Sequence, residues 1–165
     1  YEVIQWLMVQ MANIGPMLGQ FTHFRLLPEG TEPYSYGRYA ALAKTIYQLI
    51  NDRVSTREWI AGDAYSIADI ATLPWAEYLE RHDLSIEDYP ALKRWREAVA
   101  VRPAVIRAKQ RMFEKFSAPA AETMAAATSA DLDKFFGRSE EVPSMDYSSV
   151  QRLSASVTQS LNQRD

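Results

Sequence analysis

Few side chains in this sequence are of a type and spacing that could do chemistry. There is no cysteine, which removes thiolate nucleophiles, disulfides and Cys-based zinc sites together. His23 could serve as a base, a hydrogen-bond donor or a metal ligand. With His82 as the only other histidine a metal site is not expected, and a lone histidine is also commonly structural. Arg38 falls outside the apolar stripe of its segment. Its guanidinium fork suits a carboxylate, and the competing reading is a solvated or ion-paired arginine. Ser66 has no nearby histidine base, so it is a poor nucleophile and a hydrolase reading fails. Glu77, Glu80 and Asp83 occupy surface-like positions and show no dyad logic.

Ser66 and Asp69 make better sense as fasteners. In Tyr65-Ser66-Ile67-Ala68-Asp69-Ile70 the Ser66 hydroxyl can accept the backbone N–H of Asp69. The Asp69 carboxylate can reach back to the N–H of Ser66, a short-armed capping box worth roughly 0.5–2 kcal/mol. Tyr65 and Ile70 stand at the positions of a hydrophobic staple. Pro74 lies well inside the apolar helix that follows and should kink it.

The elements around this helix read as helical too. Ile4, Leu7, Met8 and Met11 give the first segment an amphipathic face, which Gly15-Pro16 should kink or interrupt. Met17, Leu18, Phe21 and Phe24 continue an apolar face, and residues 27–33 form a loop by composition. A second helix from Pro33 or Tyr34 to Val54 has the stripe Tyr39, Leu42, Ala43, Ile46, Leu49 and Ile50. After the Trp59 turn comes the capped helix, Ser66 to about Leu79. A fourth begins at Pro90 with Leu92, Trp95 and Val99 inward, and a last core helix runs from Pro103 to about Phe116. An alanine-rich helix, Ala118 to Ala127, leads to a second capping box at Thr128-x-x-Asp131 and a stop at Gly137. Phe135 and Phe136 are the expected anchor of the tail, which has one weak stripe of Val150, Leu153 and Val157.

No segment alternates as a strand does. The chain is therefore expected to be all-α, a helical bundle of about five core helices with a C-terminal helical and flexible tail. The expected divisions are a helical domain over 1–116 with its first helix truncated, a short helical extension over 117–137, and a polar, partly disordered tail over 138–165. At 165 residues there is length enough for one real core. The formal charge of −3 gives no support to nucleic-acid binding. No apolar run approaches the roughly 18 residues of a membrane span, and the absence of cysteine is compatible with a reducing, cytoplasmic setting. The start at Tyr1, already in a helical pattern, is what a fragment or a processed chain would show.

Several of these motifs recur together in a known order. Gln5-Trp6-Leu7-Met8, Gly15-Pro16-Met17-Leu18-Gly19-Gln20 and His23-Phe24 are followed by Arg38-Tyr39 and the Trp59 turn. Ser66 to Trp75 comes next, then Tyr89-Pro90-Ala91 through Arg102-Pro103-Ala104. The series resembles the helical second domain of glutathione transferases, and within them the bacterial nu class, over residues 1 to about 113. Two departures stand out. Ala12-Asn13 occupies the place where close relatives tend to have Gly-Gly, and the tail after Phe116 is longer than the resemblance covers.

The resemblance implies a division of labour. Glutathione, the cosubstrate, would be held mainly by an N-terminal thioredoxin-like domain outside this chain, which would supply the catalytic hydroxyl and lower the thiol pKa by hydrogen bonding to the anion. No catalytic residue is then expected here, and this chain alone should be inactive. Arg38 would lie near glutathione. Met17, Gln20, Phe21, His23 and Phe24 would line the pocket for a small electrophile or disulfide, and the remaining surface would help form a homodimer. Without that resemblance, apolar residues at helical spacing are core more often than ligand contacts. The implied reaction is glutathione conjugation or glutathione-dependent disulfide reduction. Two alternatives stay open: a glutathione-dependent β-etherase, to which a long tail would be suited, and a non-catalytic transferase-like domain for protein association.

Overall fold

The computed structural model describes residues 1–27, 29–138, 146–148 and 150–151. Its helices are α1 (Glu2–Val9), α2 (Gly15–Leu26), α3 (Pro33–Ser55), α4 (Ile67–Ala76), α5 (Pro90–Ala100), α6 (Pro103–Met112), α7 (Ala118–Ala126) and α8 (Ser129–Phe135). π-helical turns at Gln10–Ile14 and Phe113–Ser117 join α1 to α2 and α6 to α7, and 3-10 turns occupy Glu80–His82 and Ile86–Asp88. Among the described residues there is no strand, and the chain is all-α. Two compact units are formed, one from residues 1–24 and 33–105, the other from the described residues among 25–32 and 106–151.

The first unit holds the main core, with Leu18, Ile46, Tyr47, Ile50, Leu73, Leu92 and Trp95 among its buried residues. Polar links across the chain tie its helices. Asn51 on α3 accepts the N–H groups of Ala91 and Leu92 at 3.0 and 3.1 Å, so a side chain from another helix caps α5, whose first residue, Pro90, has no N–H to offer. Arg94 donates to the carbonyls of Val54 and Arg57 at the C-terminal end of α3. Glu2 accepts from Arg53 and from the Gly62 N–H, and these bonds hold its carboxyl below the usual range.

The cap on α4 is more deeply built than a surface box. Ser66 Oγ accepts the Ala68 N–H at 3.2 Å, and the reciprocal Ser66–Asp69 box is formed. Asp69 is fully buried. Its Oδ2 accepts the Ser66 N–H at 2.9 Å, while Oδ1 accepts the Ile60 N–H at 2.9 Å and the Trp95 indole N–H at 2.8 Å. One carboxylate thus joins the preceding turn, the helix start and α5.

Five expectations change. On α1 the stripe Ile4, Met8 and Met11 is exposed at 59, 58 and 65%, and Val3, Trp6, Gln10 and Ile14 turn inward instead. A helix that is apolar almost all round gives periodicity no means of choosing a face. Leu49 is exposed and Tyr47 takes its place in the core. The capped helix ends at Ala76 rather than Leu79, and Ile70, at its staple position, is also exposed. Tyr65 sets its ring edge against Trp59 at 5.3 Å and carries the Arg102 guanidinium over its face at 3.7 Å. Finally, the segment expected as a last core helix buries none of its own residues along α6. It is rich in arginine and lysine, and only Val105 packs against the main core.

In the second unit Thr128 and Asp131 form the expected box, and Gly137 ends the turn at φ 68°. The anchor differs from expectation. Leu132 is fully buried with Tyr147 and Val150, with Leu26, Met124, Ala127 and Phe136 around them, while Phe135 is 64% exposed. Tyr147 stacks on Phe136 and donates its hydroxyl to Asp133 at 2.6 Å. Leu153 and Val157 lie outside the described residues.

Candidate functional site

The segment that sequence singles out, Met17 to Phe24, is the body of α2. Its backbone is shaped by what precedes it. Pro16 offers no N–H to Ala12, and the Gly15 N–H instead donates to the Gln10 carbonyl, five residues back. The expected interruption is therefore a π-turn that the helix passes through. Gly15 and Gly19 then let the Trp75 indole of α4 lie directly on the helix. A methyl added at Gly15 would stand 3.3 Å from that indole, and one added at Gly19 3.6 Å.

The sequence-derived pocket residues separate into three kinds. Phe21 is buried, edge-on to Tyr36 at 5.6 Å and 4.8 Å from the His82 ring. Met17 is half-buried against the core. Phe24 and His23 are half-buried at the end of α2; Phe24 stacks on Tyr39 of α3 at 5.3 Å, and His23 meets Phe24 edge-on at 5.3 Å. Partial burial pulls the His23 imidazole below its usual pKa. Gln20 is exposed. The structure thus brings His23 and Phe24 together with Tyr39 as an aromatic surface shared by α2 and α3.

Arg38 follows on α3, one residue before Tyr39. It is exposed and lines a shallow groove of about 520 Å³ with Pro33, Tyr34, Gly37, Ala41, Leu42 and Thr45. No hydrogen bond or ion pair occupies its guanidinium among the described residues, which leaves the fork open to an anion. Ser66 and Asp69 lie in the α4 cap, in the structural role assigned to them. No group of three His, Asp or Glu side chains among the described residues could hold a metal ion.

Sequence reasoning passed over His82. It is buried, with Nε2 2.8 Å from Thr22 Oγ1 and Nδ1 2.7 Å from the Tyr47 hydroxyl. Burial pushes the Tyr47 phenol well above the usual value. The overlooked signal was Tyr47, which shares a helical face with Ala43, Ile50 and Val54. A buried phenol needs a polar partner.

Residues 39–103 match the sequence model described as the glutathione S-transferase C-terminal domain. Over these residues the chain is similar to that domain family. The chain is 41% identical over 101 residues to the disulfide-bond oxidoreductase YfcG of Escherichia coli, covering 61% of this chain and 47% of that protein. Among solved structures, a glutathione transferase from Burkholderia graminis with two glutathione molecules bound per subunit matches at 41% identity and a TM-score of 0.56. The match covers 65% of this chain and 48% of that one. A Pseudomonas putida transferase with one glutathione disulfide bound per subunit matches at 32% identity and a TM-score of 0.59, over 65 and 49% of the two chains. The chain spans about half the length of the curated relatives it matches. No helix among the described residues is long and apolar enough to cross a membrane.

Proposed function

We propose that this glutathione transferase domain forms the substrate wall of a glutathione-dependent enzyme whose thiol site lies in a thioredoxin-like domain, and that the reaction is disulfide reduction or conjugation. The observation that carries the reading is the adjacency of Arg38 and Tyr39. One offers a guanidinium without a described partner; the other stacks on Phe24 of the α2 surface. A cation for a glutathione carboxylate thus stands beside an aromatic wall for the group that glutathione attacks. The relatives support it, since one is named a disulfide-bond oxidoreductase and others hold glutathione or its disulfide. On α2 the exposed Gln20 would extend the wall, with Met17 and the buried Phe21 backing it from the core. A cytoplasmic homodimer is the assembly this reading implies.

The activating step belongs to the other domain. A hydrogen bond to the sulfur stabilises the thiolate, which attacks a disulfide sulfur or an electrophilic carbon; the leaving thiolate or group departs with the electron pair. The present chain binds and orients the acceptor. The test uses the protein in which this domain is joined to a thioredoxin-like one. Arg38→Ala should raise the KM for glutathione about 5–30-fold, the loss of roughly 1–2 kcal/mol of partly exposed charge-assisted bonding, with kcat little changed. An unchanged KM removes Arg38 from the site. Micromolar binding of glutathione to this chain alone would place the main site here and overturn the division of labour.

A further inference from the structure

His82 is a buried titratable side chain that the proposed wall does not use. It bridges two helices: Nε2 meets Thr22 Oγ1 of α2 and Nδ1 meets the Tyr47 hydroxyl of α3. Thr22 sits between the buried Phe21 and His23, a residue of the proposed wall.

Counting protons fixes the ring's state. Thr22 Oγ1 donates its single hydrogen to the Leu18 carbonyl at 3.0 Å, so towards His82 it can only accept. Nε2 therefore carries a hydrogen. In a neutral ring Nδ1 is then bare and accepts from the Tyr47 hydroxyl, and all three bonds are made. The opposite tautomer would turn an Nδ1–H towards Tyr47, whose proton would lose its acceptor, and would require Thr22 to release Leu18. A doubly protonated ring displaces the Tyr47 proton in the same way and adds a charge in a buried site, and both changes cost free energy. The ring is faced by Phe21 at 4.8 Å and by Tyr47 and Tyr78, each at 5.9 Å. Glu80 and Arg96, whose charges act on Tyr47 together with Tyr78 and Tyr89, are paired with each other at 2.8 Å. Arg81 and Asp83, its chain neighbours, are exposed.

The rest of that face of α2, where Gly15 and Gly19 stand seven and three residues before Thr22, explains why such a bond has work to do. There the helix shows glycines to the Trp75 indole, a smooth contact that adds little to the hold that the buried Leu18 and Phe21 have on its rotation. A directional hydrogen bond resists that rotation strongly. We propose that His82, as the neutral Nε2–H tautomer braced by Tyr47, is a positioning residue: its bond to Thr22 sets the rotation of α2 and hence the direction in which His23 and Phe24 face a substrate. The proposal rests on α2 being the substrate wall, but the clamp can be tested without substrate.

With two histidines in the chain, imidazole nitrogen NMR on the whole chain resolves both. His82 should show a bare Nδ1 and a protonated Nε2, unchanged over the pH range in which His23 titrates. A glutamine amide can reproduce the Nε2 donor, whereas an asparagine amide reaches only the Nδ1 position. His82→Gln should therefore keep the native ring shifts of His23, Phe24 and Tyr39, and His82→Asn and Thr22→Val should move them. A protonated Nδ1, a His82 that titrates near 6.5 in the folded chain, or wall shifts unmoved in Thr22→Val while its melting point falls would each overturn the proposal. If a His82 variant fails to fold, the shape-conserving Thr22→Val and Tyr47→Phe decide the matter. Loss of the clamp leaves the wall standing, and a native clamp beside an unchanged Arg38→Ala enzyme sinks the wall alone.

Discussion

Replacing Asp69 by alanine removes the acceptor for three N–H donors: Ser66 and Ile60 in the backbone and the Trp95 indole. A helix cap alone is worth roughly 0.5–2 kcal/mol. Here the carboxylate is fully buried, and each buried donor left unmade costs about 1–3 kcal/mol. Taking the low end, because water can enter the space vacated, the expected loss is about 3–5 kcal/mol. Against a total stability of about 5–15 kcal/mol this leaves the domain marginal, with a melting point lower by roughly 6–20 °C. Ser66→Ala, which takes away the acceptor for the Ala68 N–H, should cost about 1 kcal/mol. Asp69→Asn should fall between them, since its carbonyl can serve Ile60 and Trp95 while its amide faces the Ser66 N–H. Urea unfolding followed by tryptophan fluorescence is the assay, because Trp6, Trp59, Trp75 and Trp95 all lie in the unit of residues 1–24 and 33–105. If Asp69→Ala proves no worse than Ser66→Ala, the three-way junction is not holding the fold and the reasoning fails.

Three further outcomes are expected. Gly15→Ala should lower the melting point, since its methyl meets a rigid indole at 3.3 Å, whereas Gly19→Ala, at an ordinary 3.6 Å, should be neutral or gain up to about 1 kcal/mol of helix propensity; equal effects would refute the close packing of Trp75. Burial lowers the His23 pKa, so its contribution to stability is complete above the unfolded value near 6.5 and is lost as pH falls through the folded one. The urea midpoint should therefore decline from pH 7.5 to 5.5, less steeply in His23→Gln, and an identical slope in the variant would discount that burial. Burial, with the bond to Asp133, pushes the Tyr147 phenol up to about 12, so its contribution holds below about pH 10 and fades as pH climbs towards 12. Hydrogen exchange around residues 146–151 should accelerate over that interval in the native chain and show no such step in Tyr147→Phe.

Legibility in the sequence followed the physics of each signal. Both capping boxes could be read because a cap is local: hydroxyl and carboxylate three residues apart suffice. The inward face of α5 was equally plain, since Leu92, Trp95 and Val99 alternate with charged residues. The face of α1 was not, because nearly every residue there is apolar and the choice belongs to tertiary packing. The further partners of Asp69 were hidden for the same reason. Ile60 and Trp95 lie nine and twenty-six residues away, and spacing carries no information about contacts of that kind. Site residues divided likewise. The sequence could nominate His23, Phe24 and Arg38 one at a time, and the fold supplied Tyr39 as the ring that relates them.

The same distinction explains why helix α4 matters beyond stability. Asp69 fixes the start of the helix, and six residues later Trp75 forms the surface against which α2 rests. Between them Pro74 withholds an N–H from the Ile70 carbonyl, so this stretch of helix lacks one of its own bonds and depends on the junction at its start for direction. A loosened cap therefore displaces Trp75 before it unfolds the domain, and the glycines of α2 offer nothing to stop the indole sliding. His82 then remains as the hydrogen-bonded hold on α2, beside the buried Leu18 and Phe21. The two devices are coupled through one helix, and a double variant of Asp69→Asn with Thr22→Val should lose more wall order than the two singles combined. Simple additivity of the His23 and Phe24 shift changes would show that cap and clamp act on separate parts of the molecule.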